Sequence, residues 1–402
     1  MRLLFVAALH HPAELERARR AAPPGEEPLF PPSQAQHFWA RALRRLGHEC
    51  AVFWRSESAW PWARSGQLRM AQRLTAGRAL GALAARFPYA NPDFRLRNRR
   101  LLRLAARFGP DVIILPGDNG VILPETLARL KREHGATLVY GCGTSPVVFS
   151  RPVERAAAPL YDLVVANDFY HAVQWRELGA PRAEVLPMAA IDPAFHRPYD
   201  LSDDERARYA CEVAVVGTLV PQRLYGERVT ALEALRDFDL GIWSVHEVPP
   251  SLRPFYRGPA LGEQMLRITR AAKITVNPHG DFMRWGGNMR LFEACGVGAF
   301  QIADDRPGIR EWFTVGEHLV TYRDPAHLRD LVAHYLAHDD ERARIAEAGM
   351  AHVHAHHTYD QRMAHLLALV SEIRAGGGEA TQSSAQGSAP MRTPDPQRNE
   401  PP

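Results

Sequence analysis

The sequence predicts an α/β protein of two doubly wound, Rossmann-like parallel sheets facing one another across a cleft. Three observations carry this. Apolar runs of about five residues alternate with helix-length amphipathic segments, as in a parallel sheet covered on both faces. The alternation breaks at a polar stretch, residues 191–204 with Pro193 and Pro198, and then restarts. The length of 402 residues suits two cores plus an appendage, and 46% hydrophobic with 23% charged residues is ordinary globular composition.

In the first half, residues 2–8 form a short apolar run fit for a buried strand. Residues 33–47 have helical spacing through Phe38, Ala42, Leu43 and Leu46, with Ser33 placed as N-cap and Gly47 as C-cap. Further strands are expected at 51–54, 111–115, 136–140, 163–166 and 185–188, and helices at 96–108, 123–134 and 169–178. After the connection, strands are expected at 213–216, 240–243, 274–276 and 300–303. Helices are expected there at 225–235, 261–272, 289–295, 326–337, 340–354 and 359–375. The domains are therefore set at 1–195 and 196–358, with a closing helix at 359–375 that returns to the first domain. Residues 376–402 lack apolar periodicity and are expected to be disordered.

Composition excludes several classes. No apolar run approaches the ~18 residues of a membrane helix, and residues 1–9 lack the cleavage site of a secretory leader. Cys50, Cys142, Cys211 and Cys295 are far apart, as expected of reduced thiols in a cytoplasmic protein. The net charge of +4 is small for the length, and no nucleic-acid partner is expected. Between Arg41 and Arg107, fifteen arginines face only Glu49, Glu57 and Asp93, with Trp54, Trp60 and Trp62 among them. This is a solvated face or a dock for an anionic membrane surface or an acidic acceptor. GxSxG, HExxH and Walker lysine motifs are absent, which leaves hydrolase and kinase readings without support.

Two patterns carry candidate chemistry. Asn277-Pro278-His279-Gly280, followed by Arg284 to Ala294, leaves a strand and opens a helix. Gly286 and Gly287 let a backbone approach a ligand closely, and a helix start binds phosphate oxygens. Glu293, one turn into the helix, is placed to accept the hydroxyls of a ribose. Spacing alone fits equally a glycine-rich turn with a capping Asn288 and a solvated Glu293. The second pattern runs from Val215 through Gly217 to Arg223: a strand, a glycine turn, and a guanidinium suited to a diphosphate.

The stretch from about Glu212 to His365 resembles the CgeB-like (spore maturation protein) branch of the group 1 glycosyltransferases. The matching pieces begin with Val215-Val216-Gly217-Thr218-Leu219, Arg223 and Arg228, then Tyr256-Arg257-Gly258 and Lys273 to Asn277. They continue through Asn288 to Gly296, Gly298-Ala299-Phe300, Gly316-Glu317, Tyr322-Arg323-Asp324, and His357-Thr358-Tyr359 with Arg362. The resemblance implies a GT-B fold, a nucleotide-diphosphate sugar held by the second domain and an acceptor (glycan, lipid, protein or small molecule) held by the first. It implies no resident cofactor and no bound metal. It assigns Gly217 and Arg223 to the diphosphate, and Asn288, Arg290 and Glu293 to phosphate, sugar or ribose. Many relatives carry two acids eight residues apart; here the position eight before Glu293 is Trp285.

An inverting transfer needs an acceptor-side base near neutral pKa. His10 and His11 follow the first strand, and Asp118 and Asn119 follow the strand 111–115, where that base is expected. His352, His354, His356 and His357 suggest a metal by spacing, but no fourth ligand is evident, and Thr358 reads as the N-cap of the closing helix. Two rivals stand beside sugar transfer: a nucleotide-sugar epimerase on the same fold, and a non-catalytic binding or coat-associated protein. The chain is expected in the cytoplasm, with a peripheral contact at the inner face of the membrane as a further option through the arginine-rich first domain.

Overall fold

The computed structural model describes residues 1–7, 20, 35–55, 87–117 and 119–376. His10, His11, Asp118, Trp60, Trp62 and the tail beyond Gly376 lie outside the described residues.

The first sheet holds β1 (Arg2–Ala7), β2 (Glu49–Trp54), β3 (Val112–Pro116), β4 (Thr137–Cys142), β5 (Leu163–Ala166) and β6 (Ala183–Val185), all parallel, in the order β2-β1-β3-β4-β5-β6. Leu3, Leu4, Phe5 and Val6 are all 0% exposed, because a central parallel strand is covered on both faces and so reads as an unbroken apolar run. Its helices are α1 (Ala35–Arg45), α2 (Pro92–Phe108), α3 (Pro124–His134), α4 (Pro146–Phe149), α5 (Pro152–Ala156) and α6 (Phe169–Glu177). Helix α2 starts where Asn91 accepts the amides of Asp93 and Phe94, and ends at Gly109, whose φ of 62° favours glycine.

The second domain begins with α7 (Asp203–Tyr209). It continues through β7 (Val213–Val216), α8 (Gln222–Glu233), β8 (Leu240–Trp243), β9 (Tyr256–Gly258), α9 (Glu263–Ala271), β10 (Ile274–Asn277), α10 (Arg290–Gly296), β11 (Gln301–Asp304) and β12 (Val320–Tyr322). Its parallel strands run β12-β11-β10-β7-β8-β9. Helices α11 (Pro325–Ala337), α12 (Asp339–His356) and α13 (Tyr359–Gly376) close the chain. No helix among the described residues is long and apolar enough to cross a membrane.

Three expectations are corrected. The sixth strand lies at Ala183–Val185, not at 185–188. Leu186 and Met188 are buried outside the sheet; the Met188 carbonyl accepts Trp39 Nε1 at 3.0 Å and its amide donates to Asn167 Oδ1 at 2.9 Å. Residues 191–204 are no exposed spacer: Ile191, Asp192, Phe195 and His196 are 0–3% exposed. Edge strands β9 and β12, three residues each, were not predicted.

The chain passes between the domains twice, at neighbouring points, since Ile191 and Thr358 pair in a parallel bridge. Thr358 caps α13, accepting the Gln361 amide at 3.3 Å. Helix α13 then lies against α1: Tyr359 stacks on Phe38 with ring centroids 5.3 Å apart, and Arg45 bridges Asp360 at 2.6 Å and Asp192 at 3.0 Å. Tyr359, Met363, Leu366 and Val370 are fully buried in a core that also holds Leu3, Phe5, Trp39, Ala214 and Leu266, so one apolar cluster spans both domains.

Candidate functional site

Connections from β7 lead to β8 on one side, while β10 lies on its other side. The reversal leaves a crevice beyond the carboxyl ends of β7 and β10, the place where open parallel sheets take ligands. A cleft of about 250 Å³ opens there, lined by Val216, Gly217, Thr218, Arg228, Pro278, Asn288 and Arg290 among others. At Gly217 an added Cβ would lie 3.3 Å from Arg228 Nη1, so the missing side chain gives the guanidinium its room.

Arg228 and Arg290 are the cations that line this cleft. The Arg228 Nε donates to the Pro278 carbonyl at 2.8 Å and its Nη1 to the Thr218 carbonyl at 2.6 Å, bridging the loops after β10 and β7. Tyr225 lies under the guanidinium, 4.9 Å from ring centroid to Cζ. Burial pushes its pKa below the usual guanidinium value, and among the described residues no carboxylate pairs with it. Asp304 acts on it only through space, and a largely desolvated cation in no direct ion pair at a cavity wall is a site for an anion.

Asn288 and Arg290 form the opposite wall. Asn288 and Asn277 exchange amide hydrogen bonds at 2.9 and 3.1 Å, and Asn288 Oδ1 also accepts the Leu291 amide at 3.3 Å. Arg290 donates from Nε to the Val216 carbonyl at 3.3 Å and from Nη1 to Glu293 Oε2. Glu293 is 4% exposed and stands behind Arg290, with its other oxygen 3.7 Å from His196 Nε2. Burial opposes its ionisation, yet the charge of Arg290 and the His196 hydrogen bond hold the carboxyl at about 2. Glu293 thus braces the arginine at the cleft wall.

The glycine pair has another use. Gly286 packs on the first domain so closely that a Cβ would fall 1.8 Å from the Asn167 carbonyl oxygen. The amides of Trp285 and Gly286 both donate to Asp168 Oδ2 at 2.7 Å, while Oδ1 caps α6 through the Tyr170 amide at 2.8 Å. His171 Nε2 meets the Phe282 carbonyl at 3.1 Å alongside. At Gly287 a Cβ would meet Leu291 and Trp312 at 2.7 and 2.9 Å. These glycines therefore serve close packing, one of them between domains, and the amides of Trp285 and Gly286 are satisfied by Asp168.

Other sequence candidates are not brought together. Arg223 is exposed on the single turn of α8 that precedes a kink at Tyr225, and does not line the cleft. The helix proper starts after the kink, its Gly226 and Glu227 amides capped by Asp281 at 2.8 and 3.2 Å. Asn119 is 0% exposed and builds its own turn: Nδ2 donates to the Ile122 carbonyl at 3.0 Å and Oδ1 accepts the Ile122 amide at 2.9 Å. His352 and His357 both point Nε2 at the Trp312 carbonyl, at 2.7 and 3.0 Å, and His354 points Nε2 at the Gly296 carbonyl at 2.9 Å. Among the described residues no group of side chains has metal-ligand geometry. Arg228 and Asp168 are the residues the sequence reading passed over as site-builders. Arg228 had one signal, its place on the helix after the glycine turn. Asp168 had only that of an ordinary helix cap.

Residues 226–368 match the family model described as glycosyl transferase-like. No curated protein sequence matches the chain. Among solved structures, sucrose-phosphate synthase from Thermosynechococcus elongatus superposes with a TM-score of 0.62 at 13% identity, over 94% of this chain and 100% of that one. Anabaena HepE in complex with UDP-glucose gives 0.57 at 16%, over 92% and 99%. AviGT4, a glycosyltransferase involved in avilamycin A biosynthesis, gives 0.54 at 14%, over 94% and 98%. The two six-stranded parallel α/β domains thus have the GT-B architecture.

Proposed function

We propose that the protein is a glycosyltransferase of the CgeB-like branch, moving a hexose from a nucleotide-diphosphate sugar to an acceptor without a resident cofactor or metal. The observation that carries this reading is Arg228: a half-buried cation that makes no ion pair with a carboxylate among the described residues, on the wall of the crevice between β7 and β10. In this reading residues 196–358 hold the donor, residues 1–195 hold the acceptor, and the closing helix at 359–375 joins them. HepE, which was solved with UDP-glucose and with UDP, makes uridine nucleotides the first donors to try.

The leaving group is a diphosphate that gains charge as the glycosidic bond to it breaks. Arg228 and Arg290 stabilise that charge from fixed positions, so no reorganisation is needed at the moment of reaction. Glu293 keeps Arg290 at the wall. Arg223 joins from the rim when the cleft closes over the donor. The transferred sugar lies toward the first domain, where His10, His11 or Asp118 would take the acceptor's proton if the reaction inverts.

The test is thermal stabilisation of the full chain by a panel of nucleoside diphosphates and their sugars, with Arg228→Ala and Glu293→Ala beside the parent. A ligand that binds only the folded state raises Tm by mass action. One nucleotide class should raise Tm in the parent and lose its effect in both variants. No shift with any nucleotide would leave a non-catalytic binding protein as the better reading. Conversion of donor alone into an epimeric nucleotide sugar, with no acceptor present, would replace transfer by epimerisation.

A further inference from the structure

The first domain carries a surface that the donor site does not use. Helix α2 has six arginines and one acid, Asp93. Asp93 pairs with Arg97, which is 5% exposed and turned inward. Arg95, Arg99, Arg103 and Arg107 recur every fourth residue and are all exposed. Four-residue spacing keeps them on one face, as a stripe about 18 Å long. Among the described residues no carboxylate pairs with any of the four. Arg95 is steadied by the Tyr89 carbonyl at 2.8 Å.

Apolar surface lies at the start of the same helix. Phe87 and Tyr89 are 58% and 49% exposed, and with Pro152, Val153 and Ala156 they wall a groove of about 650 Å³. Gly120 and Arg151 also line it, and these follow β3 and α4, so the groove opens at the carboxyl edge of the first sheet.

Like charges four apart on a helix repel one another, and surfaces normally intersperse both signs. A stripe of one sign ending in an exposed apolar groove is stabilised by a partner that is anionic and apolar together. A nucleic-acid backbone supplies the charge and leaves the groove in water. A bilayer of anionic lipids supplies headgroup phosphates for the arginines and an acyl chain for the groove. We propose that the α2 face and the Phe87–Tyr89 groove dock the protein on an anionic lipid bilayer. This does not rest on the donor reading.

The experiment is sedimentation of the full chain with vesicles of phosphatidylglycerol and phosphatidylcholine, or of phosphatidylcholine alone. The expected result is binding to the anionic vesicles only, falling steeply between about 50 and about 500 mM salt as the charges are screened. Arg99→Glu with Arg103→Glu should weaken it at least roughly thirtyfold, since each arginine at a charged surface contributes about a factor of five. Phe87→Ser with Tyr89→Ser should weaken it severalfold even at low salt. All variants should keep the parent's Tm and its response to nucleotides, which separates failure here from failure of the donor site. Absence of binding to anionic vesicles overturns the proposal, as does unchanged binding by the charge-reversed variant. So does tighter binding to a soluble polyanion such as heparin than to the vesicles.

Discussion

At the carboxyl ends of both sheets an arginine lies on main-chain carbonyls, and the two end in different surroundings. In the first domain Arg55, just after β2, is 2% exposed; it donates to the carbonyls of Val6, at the end of β1, and of Pro116 and Gly117, at the end of β3. It fills the crevice between those strands. In the second domain Arg228 uses two of its five N–H groups on the Thr218 and Pro278 carbonyls and borders an open cavity. Both crevices sit where the strand order reverses. One guanidinium is consumed by the fold, and the other is presented to whatever enters. Position in the topology therefore does not separate a structural arginine from a binding one; the number of carbonyls it serves and the space beside it do.

The contrast breaks most directly at Arg55. Arg55→Ala leaves three carbonyls without their donor and should cost roughly 3–5 kcal/mol, read as a large fall in Tm. A loss below about 1 kcal/mol would mean that water replaces the guanidinium and that the first crevice is as open as the second.

Acid sharpens it next. Glu293 titrates from a usual 4.5 in the unfolded chain to about 2 in the fold, so its stabilisation is complete above pH 4.5 and lost as pH falls toward 2. That difference is about 3 kcal/mol. His357, pushed by burial and by Arg362 from 6.5 to about 4, removes stability over the earlier window as the unfolded chain protonates first. Urea midpoints measured against pH should fall in these two stages, and His357→Asn should abolish the stage between pH 6.5 and 4 while sparing the lower one.

Arg228→Ala comes third. Donor affinity should fall by about 2 kcal/mol while apo stability changes by less than about 1, the reverse of the Arg55 pattern. Equal stability losses at the two positions would erase the distinction. Arg223→Ala should be the mildest, weakening the donor by about 0.5 kcal/mol with no measurable change in apo Tm, because an exposed rim charge is screened.

Much of the fold could be read from the sequence because parallel central strands leave a plain mark. Leu163–Ala166, Val213–Val216 and Leu240–Trp243 stand where the apolar runs place them. The marks fail at the edges and at the seam. Tyr256–Gly258 and Val320–Tyr322 are too short to show a pattern. Residues 191–204 look polar, yet Asp192 and His196 are buried because Arg45 and Glu293 meet them there. Among site residues, Gly217, Asn288 and Arg290 fall at the cleft because strand ends and helix starts are local features. Arg223 and Arg228 both follow the glycine turn; Arg223 stands before the kink at Tyr225 and is exposed, while Arg228 stands after it and lines the cleft, a difference that no local pattern encodes. The use of Gly286 depends on Asn167 and Asp168, more than a hundred residues earlier, and no local pattern encodes that meeting.

The closing helix has a consequence for how the chain is made. Tyr359, Met363, Leu366 and Val370 are made after both sheets, and they complete the core begun by Leu3 and Phe5. The second domain is thus an insertion within the first. The half that is synthesised first must wait, with the α1 side of its sheet uncovered, until the half that follows has been made. Folding during synthesis, which usually runs from the N-terminus onward, here finishes at the beginning.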